Sequence, residues 1–216
     1  MLRVLSYPLL LLLLLLTGYE LCNVVRVAAG SPMGYKWLLI GIASYFVLRL
    51  FSFFTRNERW MQTFSHELSH AVVGIMFFRK IHSFQVNEQE GVVFHSGRDI
   101  GQIFISLAPY CLPLFTYVFI LMRLFTVADM IYVMDILIGF TMAFHILCFA
   151  RQTHPLQPDI QSQGVVRSVL FIVAVWCFNL SIILLTVSRG LWGGYNLYLS
   201  KILERYRGRV EYDILI

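Results

Sequence analysis

Long apolar segments recur along the chain, and they limit its possible folds more than any other feature of the sequence. Five clear runs, and one that carries polar groups, each approach the 20 or so residues with which an α-helix crosses the hydrocarbon of a bilayer. Charged residues make up only 13% of the chain, whereas soluble domains have about a quarter. We therefore predict a single all-α, polytopic membrane domain over residues 1–216, with about six transmembrane helices. The predicted spans are Val4–Val25, Trp37–Phe54, Trp60–Phe78, Ile103–Phe125, Val127–Phe149 and Val165–Val187, and Pro109 and Pro113 are expected to bend the fourth.

The first span begins like a signal peptide, because Arg3 precedes the uninterrupted leucines Leu9–Leu16. The residues after the leucines, TGYELCN, are bulky and acidic, and they offer no clean small-residue cleavage site. We therefore expect an uncleaved first span, and a removed signal is the alternative.

The net charge of +5 comes largely from helix ends and from a basic C-terminal tail, residues 189–216. Membrane orientation explains this excess better than nucleic acid, which we do not expect as a partner. The positive-inside rule places the tail in the cytoplasm, and an even number of spans then places the N-terminus there too. Arg79, Lys80 and Arg98 fall on the opposite side, against the rule. The small size of the chain suggests that its membrane is a bacterial inner (plasma) membrane.

Two polar segments separate the later spans. Residues 81–97, IHSFQVNEQEGVVFHSG, contain two β-prone stretches, Ser83–Val86 and Val92–His95, around the polar turn NEQEG. This pattern predicts a small β-hairpin at the membrane surface, directly after the third span. Residues 151–164, RQTHPLQPDIQSQG, contain two prolines and several polar side chains, and they predict a loop before the last span.

The third predicted span carries the pattern His-Glu-x-x-His at residues 66–70. His66 and His70 are one helical turn apart on one face, so both imidazoles can reach a single metal ion. Glu67 is offset from that face and can sit beside a metal-bound water as a general base. The alternative is a helix end at the interface whose polar groups meet water. Apolar residues flank the motif on both sides, however, and ionisable groups in such a setting indicate function.

A tetrahedral catalytic zinc needs a third protein ligand and leaves its fourth position to water. Asp159 is one candidate, because Pro158 constrains the backbone before it and the loop can fold into the bundle to line a cavity. Asp135 is its rival, because a carboxylate in the middle of a span needs a partner. The residues alone leave both open. The remaining candidates are His82, His95, His145, His154, Asp99 and Asp129.

The stretch FSHELSHAVVG, residues 64–74, resembles the metal-binding helix of the site-2 protease family of intramembrane zinc metalloproteases. In that family a hairpin or small sheet follows this helix, then a helix with an Ala-(Gly)-Pro element, and later a Pro-containing loop that delivers an Asp ligand. This chain has the same order, with Ala108-Pro109 in SLAPYCLP and Asp159 in THPLQPDI. The likeness covers roughly residues 60–187, the expected metalloprotease core of a minimal form without a PDZ or CBS domain. The family's usual Asn-Pro loop and Leu-Asp-Gly signature are absent.

The resemblance implies a ligand set and a chemical role for the motif. His66, His70 and Asp159 would hold one Zn²⁺ ion, and Glu67 would be the general base in the hydrolysis of a peptide bond. The implied activity is that of a zinc-dependent intramembrane endopeptidase.

The implied substrate is a transmembrane or membrane-associated protein that presents an extended segment. That segment would pair with the hairpin, residues 83–95, as an added strand. His154 is a candidate oxyanion donor, and an interfacial loop histidine is the alternative. His95 either faces the site or lies on the strand surface.

Two other functions stay open from the sequence. A non-proteolytic membrane scaffold that binds zinc would not need Glu67 beside its ligands. A metal or proton transporter would use Asp129, Asp135 and His145 along the fifth span. No inverted repeat is visible, and a transporter has no need for the His-Glu-x-x-His pattern.

Overall fold

The computed structural model describes residues 2–86, 91–96 and 101–189, which form eight α-helices and one two-stranded antiparallel sheet. The prediction of a mostly helical chain with one small hairpin is confirmed. The predicted basic tail, residues 189–216, lies outside the described residues apart from Arg189. The elements are α1 (Leu2–Ala29), α2 (Lys36–Leu48), α3 (Ser52–Met76), β1 (Lys80–Val86), β2 (Gly91–Ser96), α4 (Gln102–Cys111), α5 (Leu114–Arg123), α6 (Ile131–Gln152), α7 (Pro158–Gln163) and α8 (Val165–Arg189).

Three helical segments of the described chain are long and apolar enough to cross a membrane: Ser6–Ala29, Ala128–Gln152 and Val165–Ser188. The pair α4 and α5 also qualifies when taken together, although it is bent by 81°. Within the described residues this makes three candidate spans, or four if the bent pair is one span. The predicted number of six is therefore not confirmed.

The boundaries around α2 and α3 differ from the prediction. The run predicted as Trp37–Phe54 ends as a helix at Leu48, and α3 begins at Ser52 rather than at Trp60. The charged stretch TRNER, which was expected to separate two spans, lies inside the 25 residues of α3. Charged residues such as Arg and Glu have good helix propensity, so a gap in hydropathy is not a break in the helix.

The break between α4 and α5 falls at Leu112 and Pro113, so the fourth run bends at Pro113 as predicted, whereas Pro109 lies inside α4. Pro113 has no N–H, and α4 ends with carbonyl groups that need other donors. Helix α8 provides two of them. Trp176 Nε1 donates to the Tyr110 carbonyl at 2.9 Å, and Asn179 Nδ2 donates to the Cys111 carbonyl at 2.5 Å. Side chains of a neighbouring helix thus satisfy the backbone that the bend exposes.

Helix α4 lies at the centre of the bundle, where it contacts α3, α6, α7 and α8. Helix α1 packs along α8, while α2 and α5 pack on α6. The hairpin packs against α3, and its strands are longer than predicted, with Lys80 opposite Ser96 and Val86 opposite Gly91. Helix α4 and the hairpin thus both lie against α3, which carries the motif.

Helix α7 corrects the prediction of a loop over residues 151–164. Residues 151 and 152 still belong to α6, and a short helix then begins at Pro158. A proline at the first helical position lacks an N–H that would have no helical partner there, so it favours a helix start rather than a loop. This short helix carries Asp159 in its first turn.

Two glycines let α2 and α6 approach closely. A Cβ at Gly41 would overlap the backbone of Ile136, and a Cβ at Gly139 would overlap the backbone of Leu38. The contact is reciprocal, and small residues of this kind are a common means of helix association in membranes.

We expect Gly139→Ala to lower the free energy of unfolding by roughly 1–3 kcal/mol, because the added methyl group overpacks this contact. The thermal unfolding temperature in detergent measures the effect. Gly18→Ala in α1 is the matched control, since a Cβ there meets nothing within 4 Å. A Gly139→Ala protein as stable as the control would contradict the close approach.

Candidate metal centre

Two histidines of α3 and one aspartate of α7 converge at the centre of the fold. His66 Nε2 lies 3.7 Å from Asp159 Oδ2, and His70 Nε2 lies 3.4 Å from the same oxygen. Within the described residues, His66, His70 and Asp159 form the one group of three such side chains that could hold a metal ion, with ligand atoms within 4.8 Å of one another. The sequence motif and the predicted third ligand therefore meet in space.

The second nitrogen of each histidine is held by a group outside the motif. His70 Nδ1 lies 2.8 Å from the carbonyl oxygen of Ile105, and His66 Nδ1 lies 3.3 Å from Gln152 Oε1. A carbonyl oxygen only accepts, so His70 Nδ1 carries the hydrogen. The lone pair of the neutral ring is then on Nε2, which faces Asp159. Hydrogen bonds of this kind set the tautomer and ring orientation of histidines that bind metals.

The Ile105 carbonyl is free for His70 because of Pro109. In an α-helix the carbonyl of residue 105 accepts the N–H of residue 109, and proline has none. The Ala108-Pro109 element, which the sequence resemblance singled out, thus leaves an acceptor in α4 that orients His70 in α3.

Asp159 is held by a further contact from α4. The Tyr110 hydroxyl donates to Asp159 Oδ2 at 3.1 Å, and the Tyr110 ring packs edge-on against His66. Burial would raise the pKa of Asp159, but the close imidazoles of His66 and His70 outweigh burial and lower the pKa below its usual value. The carboxyl group is therefore charged at neutral pH, as an anionic ligand must be.

The cluster opens onto a cavity of about 340 Å³. Glu67 lies in its wall and is only 8% exposed. Gly91, the first residue of β2, sits directly on the Glu67 side chain, so that a Cβ at Gly91 would overlap the Glu67 carboxyl group. The hairpin thus covers the predicted general base. The cavity is lined by His66, Glu67, His70, Gly91, Val92, Val93, Gln102, Ile105, Ser106, Gln157, Pro158 and Asp159.

The rival third ligand, Asp135, lies elsewhere in the fold. It accepts a hydrogen bond from Arg123 Nε at 2.8 Å, and both side chains are largely buried. The buried Asp135 carboxylate is thus paired with an arginine of the neighbouring helix rather than with a metal ion. His145 of the same helix is not part of the cluster and stacks on Trp176.

The other candidate side chains also lie apart from the cluster. His154 is exposed and does not line the cavity; its Nδ1 accepts the Leu156 N–H at 3.2 Å. His82 lies 2.6 Å from the Ser96 hydroxyl, and Asp129 is exposed. Asp99 and the side chain of His95 lie outside what the structure describes.

Sequence reasoning missed the residues that support the cluster. Gln152 contacts His66, and Tyr110 donates to Asp159. Gln102 and Ser106 line the cavity. None of them belongs to a motif, and their roles depend on contacts between helices that are distant in the sequence. The proline in SLAPYC was the one available signal, because it marks a carbonyl without a helical partner.

A family model described as Peptidase M50B-like matches residues 33–211. The chain belongs to this family. The match covers most of the chain and confirms the resemblance to the site-2 proteases. Together with the apolar helices, it identifies an integral membrane protein of a peptidase family. The comparison with curated proteins and the comparison with solved structures gave no match.

Replacing Asp159, the candidate third ligand, tests whether this cluster binds a metal ion. We expect Asp159→Ala to lower bound zinc far below the roughly one ion per chain of the wild type, since two imidazoles alone bind weakly. Metal analysis of the purified protein measures this. Asp135→Asn, which can still accept a hydrogen bond from Arg123, should keep its zinc. The opposite pattern would make Asp135 the third ligand.

Proposed function

We propose that the protein is a zinc-dependent intramembrane endopeptidase that cleaves a transmembrane or membrane-associated protein. The observation that carries the proposal is the convergence of His66, His70 and Asp159 in one cavity with Glu67 in its wall. Two imidazoles and one carboxylate form a zinc ligand set that leaves one coordination position open. Membership of a peptidase family supports the same conclusion.

The residues of the cluster fit a zinc ion, because both Nε2 atoms and an anionic oxygen point to a common centre. A zinc ion bound there would supply an activated water at neutral pH and a positive charge for the carbonyl oxygen. The groups behind the ligands, the Ile105 carbonyl and Gln152, fit the usual second layer of such a site.

Glu67 is the proposed general base. It is next to His66 in the chain but offset around the helix, so its carboxylate reaches the cavity rather than the ligand cluster. It removes a proton from the attacking water as the new carbon–oxygen bond forms. It then passes that proton to the amine nitrogen as the carbon–nitrogen bond breaks. The products are a carboxylic acid and an amine, and no other reactant is needed.

The proposed substrate presents an extended segment, because a helix hides its peptide carbonyls. Strand β2 lines the cavity with Gly91, Val92 and Val93. Within the described residues it pairs only with β1, so its other edge has no strand partner there. A segment added there would run past Glu67 and would be bound by backbone hydrogen bonds, with loose sequence preference.

We also propose that the chain crosses the membrane six times, with both termini in the cytoplasm. Helix α3 has 25 residues, about 37 Å at 1.5 Å per residue, which is enough to cross the bilayer. Its polar side chains would face the cavity and the bundle rather than lipid. Helix α2 has 13 residues and would cross together with the turn that precedes it. The basic tail supports the orientation.

Replacing the general base tests the activity. We expect Glu67→Gln to lower peptide cleavage by at least about 10²-fold while zinc content stays at the wild-type level. Hydrolysis of fluorescein-labelled casein, an unfolded polypeptide, by detergent-purified protein gives the rate. Cleavage at the wild-type rate would overturn the assignment. A wild-type protein that binds zinc but cleaves neither casein nor membrane proteins would favour the non-proteolytic scaffold instead.

Gly91 offers a second test, which depends on the hairpin. We expect Gly91→Ala to lower the cleavage rate by roughly 10-fold or more at unchanged zinc content, because the new methyl group displaces the Glu67 carboxylate. Gly74→Ala in α3 is the matched control, since its Cβ would make only ordinary contacts, 3.7 Å from Ile81 and 3.9 Å from Arg79. Equal rates for the two variants would show that β2 does not press on Glu67.

A further inference from the structure

Three polar side chains, Arg79, Gln102 and Ser106, form a hydrogen-bonded row that ends at the wall of the cavity. Arg79 Nη2 donates to Gln102 Oε1 at 2.6 Å, and Gln102 Nε2 donates to the Ser106 hydroxyl at 3.1 Å. Arg79 is 8% exposed and Ser106 is 5% exposed. Gln102 and Ser106 line the cavity together with the metal cluster and Glu67. None of these three side chains has a part in the chemistry described above.

The hydrogen bonds of this row all run in one direction. Arginine can only donate, so Gln102 must turn its oxygen towards Arg79 and its NH₂ group towards Ser106. The Ser106 oxygen accepts that bond, and its own hydrogen is left to donate elsewhere. The end of the row is thus a hydroxyl donor at the cavity.

Two other buried serines of the described chain use their hydroxyl groups differently. The hydroxyl of Ser69 donates to the carbonyl of Ser65, and the hydroxyl of Ser181 donates to the carbonyl of Cys177. A serine in a helix commonly uses the carbonyl four residues earlier in this way. At Ser106 the hydrogen bond that the structure shows is the one accepted from Gln102. The bond from Gln102 thus takes the place of the usual bond to a helix carbonyl, and the hydroxyl hydrogen of Ser106 stays available to donate.

The position of Ser106 relative to the metal cluster is set by the residue before it. The Ile105 carbonyl binds His70 Nδ1, so the register of α4 against α3 is tied to a proposed ligand. Two other candidate donors are excluded by their contacts. Tyr110 gives its hydroxyl hydrogen to Asp159, and His154 does not line the cavity.

We propose that Ser106 donates a hydrogen bond to the carbonyl oxygen of the scissile peptide as negative charge develops on that oxygen. Gln102 and Arg79 are positioning residues that orient the Ser106 hydroxyl. The inference rests on the proposed peptidase function and adds a residue to it. A donor aimed at a developing oxyanion lowers the barrier more than it strengthens substrate binding. Its loss should therefore appear in kcat rather than in KM.

The first experiment compares serine variants of the full-length, zinc-loaded protein in detergent, with labelled casein as the probe. We expect Ser106→Ala to lower kcat by of the order of 10²-fold, with KM within a few-fold of the wild type and zinc content unchanged. Ser106→Thr, which keeps the hydroxyl, should retain most of the activity. Ser181→Ala is the matched control, because it removes a buried hydroxyl that is bonded to its own helix.

Gln102→Glu provides a second test that does not disturb packing. The new carboxylate keeps the partner of Arg79, but it has an oxygen where the NH₂ group faced Ser106. The Ser106 hydrogen would then bond to Glu rather than to the substrate, so kcat should fall although the protein stays folded. Since both changes act through one hydroxyl, the double variant with Ser106→Ala should be no slower than the slower single variant.

The outcomes separate this inference from the proposed function. If the wild type does not cleave the probe or any membrane protein, the proposed function itself fails. If the wild type cleaves, Ser106→Ala with wild-type kcat, or with a raised KM alone, overturns the role of Ser106. Additive losses in the double variant overturn it as well. A Ser106→Ala protein that unfolds or loses zinc leaves the decision to Gln102→Glu, whose full activity would overturn the proposal.

Discussion

The hydrogen bond between His70 and the Ile105 carbonyl connects the two helices on which the site depends. It exists because Pro109 cannot supply the N–H that this carbonyl would bind in a regular helix. The bond orients His70 and ties α4 to α3. In consequence Tyr110, further along α4, reaches Asp159, and Ser106 reaches the cavity. A missing backbone donor in one helix thereby determines the geometry of a site whose motif is in another.

The same constraint acts throughout the bundle: a polar group buried among apolar helices needs a partner inside the protein. Glu58 accepts hydrogen bonds from Tyr45, Arg49 and Arg151, which join α2, α3 and α6. Asp135 pairs with Arg123. Arg151 precedes Gln152, the partner of His66, so this network also holds the end of α6 against the site. The Glu58 carboxylate is almost fully buried, so its partners offset the cost of removing that charge from water.

Features that depend on neighbouring residues were predictable. The spacing of His66, Glu67 and His70 on one turn, the two strands around NEQEG, and the bend near Pro113 all follow from local backbone geometry. The structure agrees with each of them. The errors arose where hydropathy was taken for secondary structure. The charged residues of TRNER lowered hydropathy without interrupting the helix, because Arg and Glu have good helix propensity. Glu58 of this stretch pairs with Arg49, directly after α2, and with Arg151 of α6.

The sequence by itself determined the membrane character of the chain, the placement of two histidines and Glu67 on one helical turn, and the hairpin, since each depends on residue type and short-range spacing. Only the tertiary structure showed that the two histidines meet Asp159 rather than Asp135, because both are carboxylates near apolar helices and differ in which partner the fold brings to them. Asp159 meets two imidazoles and a tyrosine hydroxyl, whereas Asp135 meets Arg123. Gln102 and Ser106 line the cavity because segments distant in the sequence come together. No local sequence pattern predicts contacts of that kind.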